Sequence, residues 1–176
     1  AVDHHEPVAV QLDAEAGAAA PRDPGEALAD DVDRVAAVRD AMGPAAAVRV
    51  DANGGWSVDQ ALDAITELAP YAEQRGVSLS LEPMHPMFAA DRAVLSTIDQ
   101  ALDIAEASGS SAVGVVVDTY HVWWDPQARE SIARAGREGR ISSYQICDWI
   151  LPLAAETLNS RGFPGDGYID FPTITQ

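Results

Sequence analysis

The sequence predicts an α/β fold built around a parallel sheet of four or five strands. Short β-prone runs alternate with stretches whose apolar residues recur at helical spacing, which is typical of strand–helix–strand units. The run Val113–Val117 is apolar at nearly every position, as expected for a strand in a sheet covered on both faces. The chain has 176 residues. A complete eight-stranded α/β barrel usually has roughly 250, so we expect an incomplete barrel.

The N-terminal part of the chain is predicted to be largely irregular. Residues 1–25 are rich in Ala, Pro, Gly and acidic residues, and we expect a flexible segment with one strand-like run at Val8–Leu12. Residues 26–176 are expected to form a single partial-barrel domain. It begins with a helix over Glu26–Met42, which the following Gly43-Pro44 ends.

Strands and helices then alternate regularly. A long helix is expected from Ser57, a good N-cap residue, to Arg75, where Gly76 supplies a C-cap. The other predicted elements are a strand Ala45–Val50 ending at Asp51, a strand Val77–Leu81 ending at Glu82, a helix Thr97–Ala107, a strand Ala112–Val117 ending at Asp118, a helix Gln127–Ala135 and a strand Ile141–Cys147 ending at Asp148.

The charge composition excludes several functions. All eleven basic residues are Arg, and the formal net charge is −17. Without Lys, the chain cannot form a Schiff base, use a lysine as a general base or build a P-loop phosphate clamp. The acidity also argues against nucleic acid or an anionic membrane surface as a partner.

The features that bear on location predict a cytoplasmic protein. No apolar stretch approaches 18 residues, so no transmembrane span is expected, and no signal peptide is visible. The single cysteine, Cys147, rules out an internal disulfide and fits a reducing compartment.

Carboxylates follow four of the predicted strands, as Asp51, Glu82, Asp118 and Asp148. The active sites of parallel α/β sheets and barrels lie at the carboxyl ends of the strands, so these side chains are expected on one rim. Grouped carboxylates repel one another unless a cation neutralises them, and a divalent metal is the natural occupant.

The same residues also have a structural interpretation. Acidic residues at strand ends cap the next helix or shape a loop, and each one taken singly is better explained in this way. The four together leave a metal site and the structural interpretation equally open. His85 and His121, each three residues past a strand-end carboxylate, add two possible imidazole ligands.

Four segments resemble the xylose-isomerase-like family of sugar phosphate isomerases and epimerases. They are Leu81–Pro86, Val116–Trp124, Tyr144–Trp149 and Gly165–Phe171, and the resemblance extends over about residues 66–171. It implies a TIM barrel fold, here an incomplete one, and a divalent metal cofactor, Mn or Mg. The implied reaction is proton transfer next to the carbonyl of a small sugar or sugar-like substrate.

The resemblance also implies roles for individual residues. Glu82 and Asp118 would be metal ligands, with Glu82 also the catalytic acid–base. His121 and Arg161 would bind the substrate. Gln145 stands where the family usually has a histidine ligand.

Two further residues are candidates. Asp148 lies on the predicted rim, where we count it among the possible metal ligands. Trp123 would either form the wall of a sugar site or plug the barrel mouth. The glutamate that the family carries on its eighth strand, both ligand and base, has no counterpart before Gln176.

Residues 26–65 resemble a different barrel enzyme, o-succinylbenzoate synthase of the enolase superfamily. The likeness runs from Asp30–Val35 through Arg49–Asp59, and it would make Asp51 a metal ligand. The catalytic lysines of that superfamily cannot exist in a chain without Lys, so its chemistry is excluded. The two resemblances meet near Ile65, which indicates a chimera.

Two functions therefore remain open. One is a metal-dependent sugar phosphate isomerase or epimerase. The other is a non-catalytic chimeric or truncated half-barrel that keeps the fold without turnover. An open sheet exposes its edges, so a homo-oligomer formed through those edges is also expected.

Overall fold

A computed structural model describes residues 9–12, 37–38, 40–41, 43, 50–51, 58–89 and 93–175, with the backbone alone for 9–12, 50–51 and 58–61. Residues 37–38 and 40–41 are helical, in agreement with the helix predicted over Glu26–Met42, most of which lies outside the described residues. Most of the predicted strand Ala45–Val50 also lies outside them.

The elements follow the predicted alternation. The helices are α1 (Val58–Arg75), α2 (Ile98–Ala107), α3 (Thr119–Val122), α4 (Ala128–Arg137) and α5 (Phe171–Ile174), with short 3-10 turns at Pro86–Phe88 and Thr157–Asn159. The strands are β1 (Ala9–Leu12), β2 (Val50–Asp51), β3 (Ser78–Leu81), β4 (Val113–Asp118), β5 (Ile141–Gln145), β6 (Asp148–Trp149) and β7 (Arg161–Gly162).

The main sheet is parallel throughout, in the order β2-β1-β3-β4-β5. This confirms the predicted α/β class and the expected four or five strands. The described strands form an incomplete barrel, since a full one has eight. Strand β1 lies between β2 and β3 although it comes from the predicted flexible segment, and the domain boundary at residue 25 stays a prediction.

Strands β3 and β4 have one apolar face, and the acids at their ends lie on the opposite face. Leu81 and Val117 belong to the apolar core packed against the helices. Successive residues of a strand point to opposite faces, so Glu82 and Asp118 point away from that core, to the opposite side of the sheet. The buried core consists of Ile65, Ala69, Ala72, Leu79, Leu81, Ile98, Ala101, Leu102, Ala105, Val113, Val115, Val117, Val122 and Ala135.

The last strand of the sheet is shorter than predicted. β5 ends at Gln145, and Asp148–Trp149 pairs antiparallel with Arg161–Gly162 instead. The main chain of Cys147 is bonded to a side chain rather than to a strand: its N–H donates to the Thr119 hydroxyl at 3.0 Å, and its carbonyl accepts from the same hydroxyl at 2.7 Å. The prediction of a strand running to Cys147 and ending at Asp148 was therefore wrong.

In the described part of the chain, no helix combines the length and the apolar content that crossing a membrane would require.

One arginine connects two helices on the outer surface. Arg134 of α4 forms ion pairs with Asp99, Asp103 and Glu106 of α2 at 3.2, 3.0 and 3.2 Å, and with Glu138 at 2.9 Å. A single guanidinium is thus shared by four surface carboxylates in a chain with a large excess of negative charge. Networks of this kind matter more than isolated surface pairs.

We predict that Arg134→Gln lowers the melting temperature, because four carboxylates lose their shared cation. Arg137→Gln, which removes the same charge from the same exposed helix, should lower it less. The difference between the variants should shrink in 1 M NaCl, where charges are screened within about 3 Å. Thermal unfolding followed by circular dichroism measures both effects, and equal melting temperatures in low salt would contradict the prediction.

Candidate metal and substrate site

Three buried polar residues converge at the carboxyl ends of β3 and β4. Glu82 follows β3, Asp118 is the last residue of β4, and His121 lies in the helical turn that comes next. The three residues are 7%, 0% and 1% exposed, and one ligating atom of each lies within 4.8 Å of the others. Within the described residues, this is the one such group of three or more His, Cys, Asp or Glu side chains.

The donor set fits a divalent cation. Two carboxylates supply the hard oxygen ligands that Mg and Mn prefer. Burial makes two neighbouring carboxylates costly without a positive charge beside them. The group is therefore a reasonable place for a metal, with Glu82 and Asp118 as the oxygen donors.

The carboxylate of Asp118 uses both oxygens. Oδ1 accepts from the backbone N–H of Tyr120 at 2.9 Å and thereby caps the helical turn after β4. Oδ2 accepts from Nη1 of Arg161 at 2.7 Å. Asp118 thus both starts the turn that carries His121 and binds an arginine from 43 residues further along the chain.

The protonation of His121 follows from its surroundings. Its Nδ1 accepts a hydrogen bond from the backbone N–H of His85 at 3.2 Å. Burial lowers the pKa of His121 to about 4, only partly offset by the Asp118 charge, so the ring is neutral near pH 7. A neutral ring that accepts at Nδ1 carries its proton on Nε2. That nitrogen is then a donor and not a metal ligand.

Two donors face each other beside the carboxylates. Nε2 of His121 lies 3.3 Å from Nη2 of Arg161. With the proton of His121 on Nε2, neither nitrogen can accept from the other. An oxygen atom of a ligand could accept from both.

Asp148, predicted as a metal ligand, lies in a cage of backbone donors. Its two oxygens accept from the N–H groups of Trp149, Gly165, Gly167 and Ile169 at 2.8 to 3.0 Å. Burial raises the pKa of this carboxyl, but the four N–H groups together lower it below its usual value. Asp148 is not part of the three-residue group, and its visible role is to organise the loop after β7.

Gly167 makes this cage possible. A Cβ atom at position 167 would collide with the carbonyl oxygen of Trp149 and with Oδ1 of Asp148. The close approach of the loop backbone to the carboxylate therefore requires a residue without a side chain.

The other predicted residues have these positions. Gln145 is the register partner of Asp118, half-buried at the same edge of the sheet. Asp51 ends β2 and pairs with Gln11, but its side chain lies outside the described part. The centroid of the Trp123 ring lies 5.5 Å from that of the Trp149 ring. The buried Nε1–H of Trp123 has no acceptor among the described residues.

Sequence reasoning missed Tyr120. Its ring lies under the guanidinium of Arg161, with Cζ 4.8 Å from the ring centroid, and its hydroxyl donates to the carbonyl of Thr157. The sequence signal was its place between Asp118 and His121. Its partners come from loops about 40 residues away, which no local pattern reveals.

We predict that Asp148→Asn destabilises the protein by about 2–3 kcal/mol, because hydrogen bonds to a charged acceptor are lost from a buried site. Asp166→Asn, in the same loop but exposed, should be nearly neutral. Urea unfolding at pH 7 measures the difference.

The pH dependence supplies an independent check. The folded state lowers the pKa of Asp148, so this carboxylate stabilises the fold above the unfolded pKa of about 4 and loses that effect as the pH falls through the folded value. The difference in unfolding free energy between the wild type and Asp148→Asn should therefore become smaller below pH 4. A difference that is unchanged down to pH 2 would contradict this explanation.

Comparison with known proteins places the chain among related barrels. The sequence pattern of the xylose isomerase-like TIM barrel family matches residues 12–176. Inosose isomerase of Bacillus velezensis is 34% identical over 110 residues, covering 61% of this chain and 37% of that protein. o-Succinylbenzoate synthase of Mycolicibacterium smegmatis is 55% identical over 51 residues, covering 29% of this chain and 15% of the synthase. The chain thus matches well under half of the length of either relative.

Solved structures agree with this fold. A crystal structure of a protein from Sinorhizobium meliloti 1021 is similar with a TM-score of 0.67 and 36% identity, over 94% of this chain and 64% of that one. A structure of the IOLI protein, which holds a zinc atom, is similar with a TM-score of 0.51 and 31% identity, over 65% of this chain and 40% of that one.

Proposed function

We propose, given that this chain belongs to the xylose isomerase-like TIM barrel family, that it acts as a metal-dependent isomerase or epimerase of a sugar or sugar phosphate. The observation that carries the proposal is the buried group of Glu82, Asp118 and His121 at the carboxyl ends of adjacent parallel strands. The similarity to an inosose isomerase supports a sugar-like substrate.

We assign the metal to Glu82 and Asp118. The oxygen donors favour Mn or Mg, and the zinc atom in the related IOLI structure makes Zn a third ion to test. Gln145 lies next to Asp118 in the sheet register and is a candidate for a further ligand, as is Asp51 at the end of β2. When bound, the cation would polarise the substrate carbonyl and stabilise the negative charge that develops on its oxygen.

The residues of the chain supply the proton transfer and the substrate contacts. Glu82 takes the proton from the carbon next to the carbonyl and delivers it to the former carbonyl carbon, while the hydroxyl proton passes to the other oxygen, so that an aldose and a ketose interconvert. The N–H groups of His121 Nε2 and Arg161 Nη2 donate to one substrate oxygen, which would relieve the contact between two donors. The buried Nε1–H of Trp123, which has no acceptor within the described part of the chain, donates to another hydroxyl of the substrate.

The alternative is a chimeric or truncated half-barrel without turnover. Helix α1 runs unbroken through Ile65, where the two resemblances meet, so a join at this point would leave the strand–helix order intact. The edge strand β5 also exposes Ile141 and Tyr144. We propose that this edge pairs with a second copy of the chain, which sedimentation velocity would detect.

Metal binding is the first test. We expect saturable binding of Mn by the wild type in calorimetry, and at least about tenfold weaker binding by Glu82→Gln and by Asp118→Asn, because each loses an anionic ligand. Glu130→Gln, at an exposed position on α4, controls for lost surface charge. Equal affinity in all four proteins would place the metal elsewhere, and no binding by any of them would favour the inert half-barrel.

The proton transfer is tested by isotope exchange. In D₂O with Mn, the wild type should exchange the proton next to the carbonyl of inosose or of a ketose, as followed by proton NMR. We expect Glu82→Gln to slow this exchange by roughly 10²–10⁴-fold, the usual contribution of a general base. Exchange that Glu82→Gln leaves intact would remove Glu82 from the proton transfer, whereas Glu130→Gln should match the wild type.

A further inference from the structure

Arg161 occupies one oxygen of a carboxylate that the proposed function assigns to the metal. Its Nη1 donates to Oδ2 of Asp118 at 2.7 Å, and that carboxylate is fully buried. The other oxygen is taken by the backbone N–H of Tyr120. A buried carboxylate needs a positive charge beside it. In this arrangement, Arg161 supplies that charge.

The remaining contacts of the guanidinium are weaker. Nη1 also reaches the sulfur of Cys147 at 3.3 Å, Nε donates to the carbonyl of Leu158 at 3.1 Å, and Nη2 faces a donor on His121. Burial opposes the charge of Arg161, but Asp118 outweighs this effect and raises the pKa of the guanidinium. Asp118 is therefore the main anchor of this side chain.

Arg161 is more exposed than its partner. Its side chain is 31% exposed, whereas that of Asp118 is 0% exposed. It comes from the two-residue strand β7, which pairs with the equally short β6. The acid is confined by the core strand β4, and the arginine reaches it from a surface loop.

Arg161 and a divalent cation are alternative sources of positive charge for the Asp118 carboxylate. The guanidinium of Arg161 places one positive charge against Oδ2 of the buried Asp118 carboxylate. A divalent cation held by the same carboxylate would bring two positive charges, and a guanidinium kept beside it would be repelled in a poorly solvated site.

We propose that Arg161 is a displaceable counter-cation that competes with the divalent metal for Asp118, so that metal binding requires the guanidinium to leave Oδ2. This inference rests on the proposed metal site. It adds a function to Arg161 beyond substrate binding: the arginine that leaves Asp118 becomes free to bind a substrate oxygen. Metal and substrate binding are thereby coupled.

The test compares Mn affinity by calorimetry at pH 8 in the wild type, Arg161→Gln, Arg161→Lys and Arg129→Gln. The last variant removes the same charge from an exposed position on α4. We expect Arg161→Gln to bind Mn about tenfold tighter or more, since the metal no longer displaces a charged hydrogen bond. Arg161→Lys should be intermediate, and Arg129→Gln should match the wild type.

A second measurement, the melting temperature, allows for the case in which Arg161→Gln is less stable than the wild type. Saturating Mn should raise the melting temperature of Arg161→Gln by more than that of the wild type, because only the variant has an uncompensated buried Asp118. Unchanged or weaker Mn binding by Arg161→Gln, with wild-type binding intact, would overturn the competition and leave the metal site standing. Absence of binding in every variant would overturn both proposals.

Discussion

The buried carboxylate of Asp118 is the group on which the arrangement of the site depends. It ends a strand that is buried along its whole length, so its charge must be compensated from within the protein. One oxygen starts the helical turn that carries His121, and the other binds Arg161. A single side chain thus links the sheet, the turn after β4 and the loop that leads to β7.

The neighbouring carboxylate, Asp148, solves the same physical problem in another way. Four backbone N–H groups satisfy it, and no arginine or metal is needed. Two buried acids that follow one another in the chain therefore have different partners: Asp118 binds a side chain, while Asp148 shapes the loop around itself. The nature of the compensating group, more than burial, separates a candidate ligand from a structural acid.

Much of the fold was predictable because its signals are local. The apolar runs placed β3 and β4 within one residue of their observed bounds, and the predicted helix Thr97–Ala107 matches α2, which Thr97 caps. Placing Glu82 and Asp118 on one rim also followed from local patterns, since parallel strands bring their carboxyl ends to the same edge. The error at β5 arose because Thr119 binds the main chain of Cys147, a contact between residues 28 apart.

The sequence by itself determined the alternation of strands and helices, the parallel sheet and the acids at the strand ends, because residue periodicity and capping act over a few residues. Only the tertiary structure decided which of these acids remains a candidate metal ligand. The pairing of Arg161 with Asp118 and the enclosure of Asp148 by residues 165–169 join distant segments. Such contacts depend on how the loops fold back over the rim, and no spacing within the chain encodes that directly.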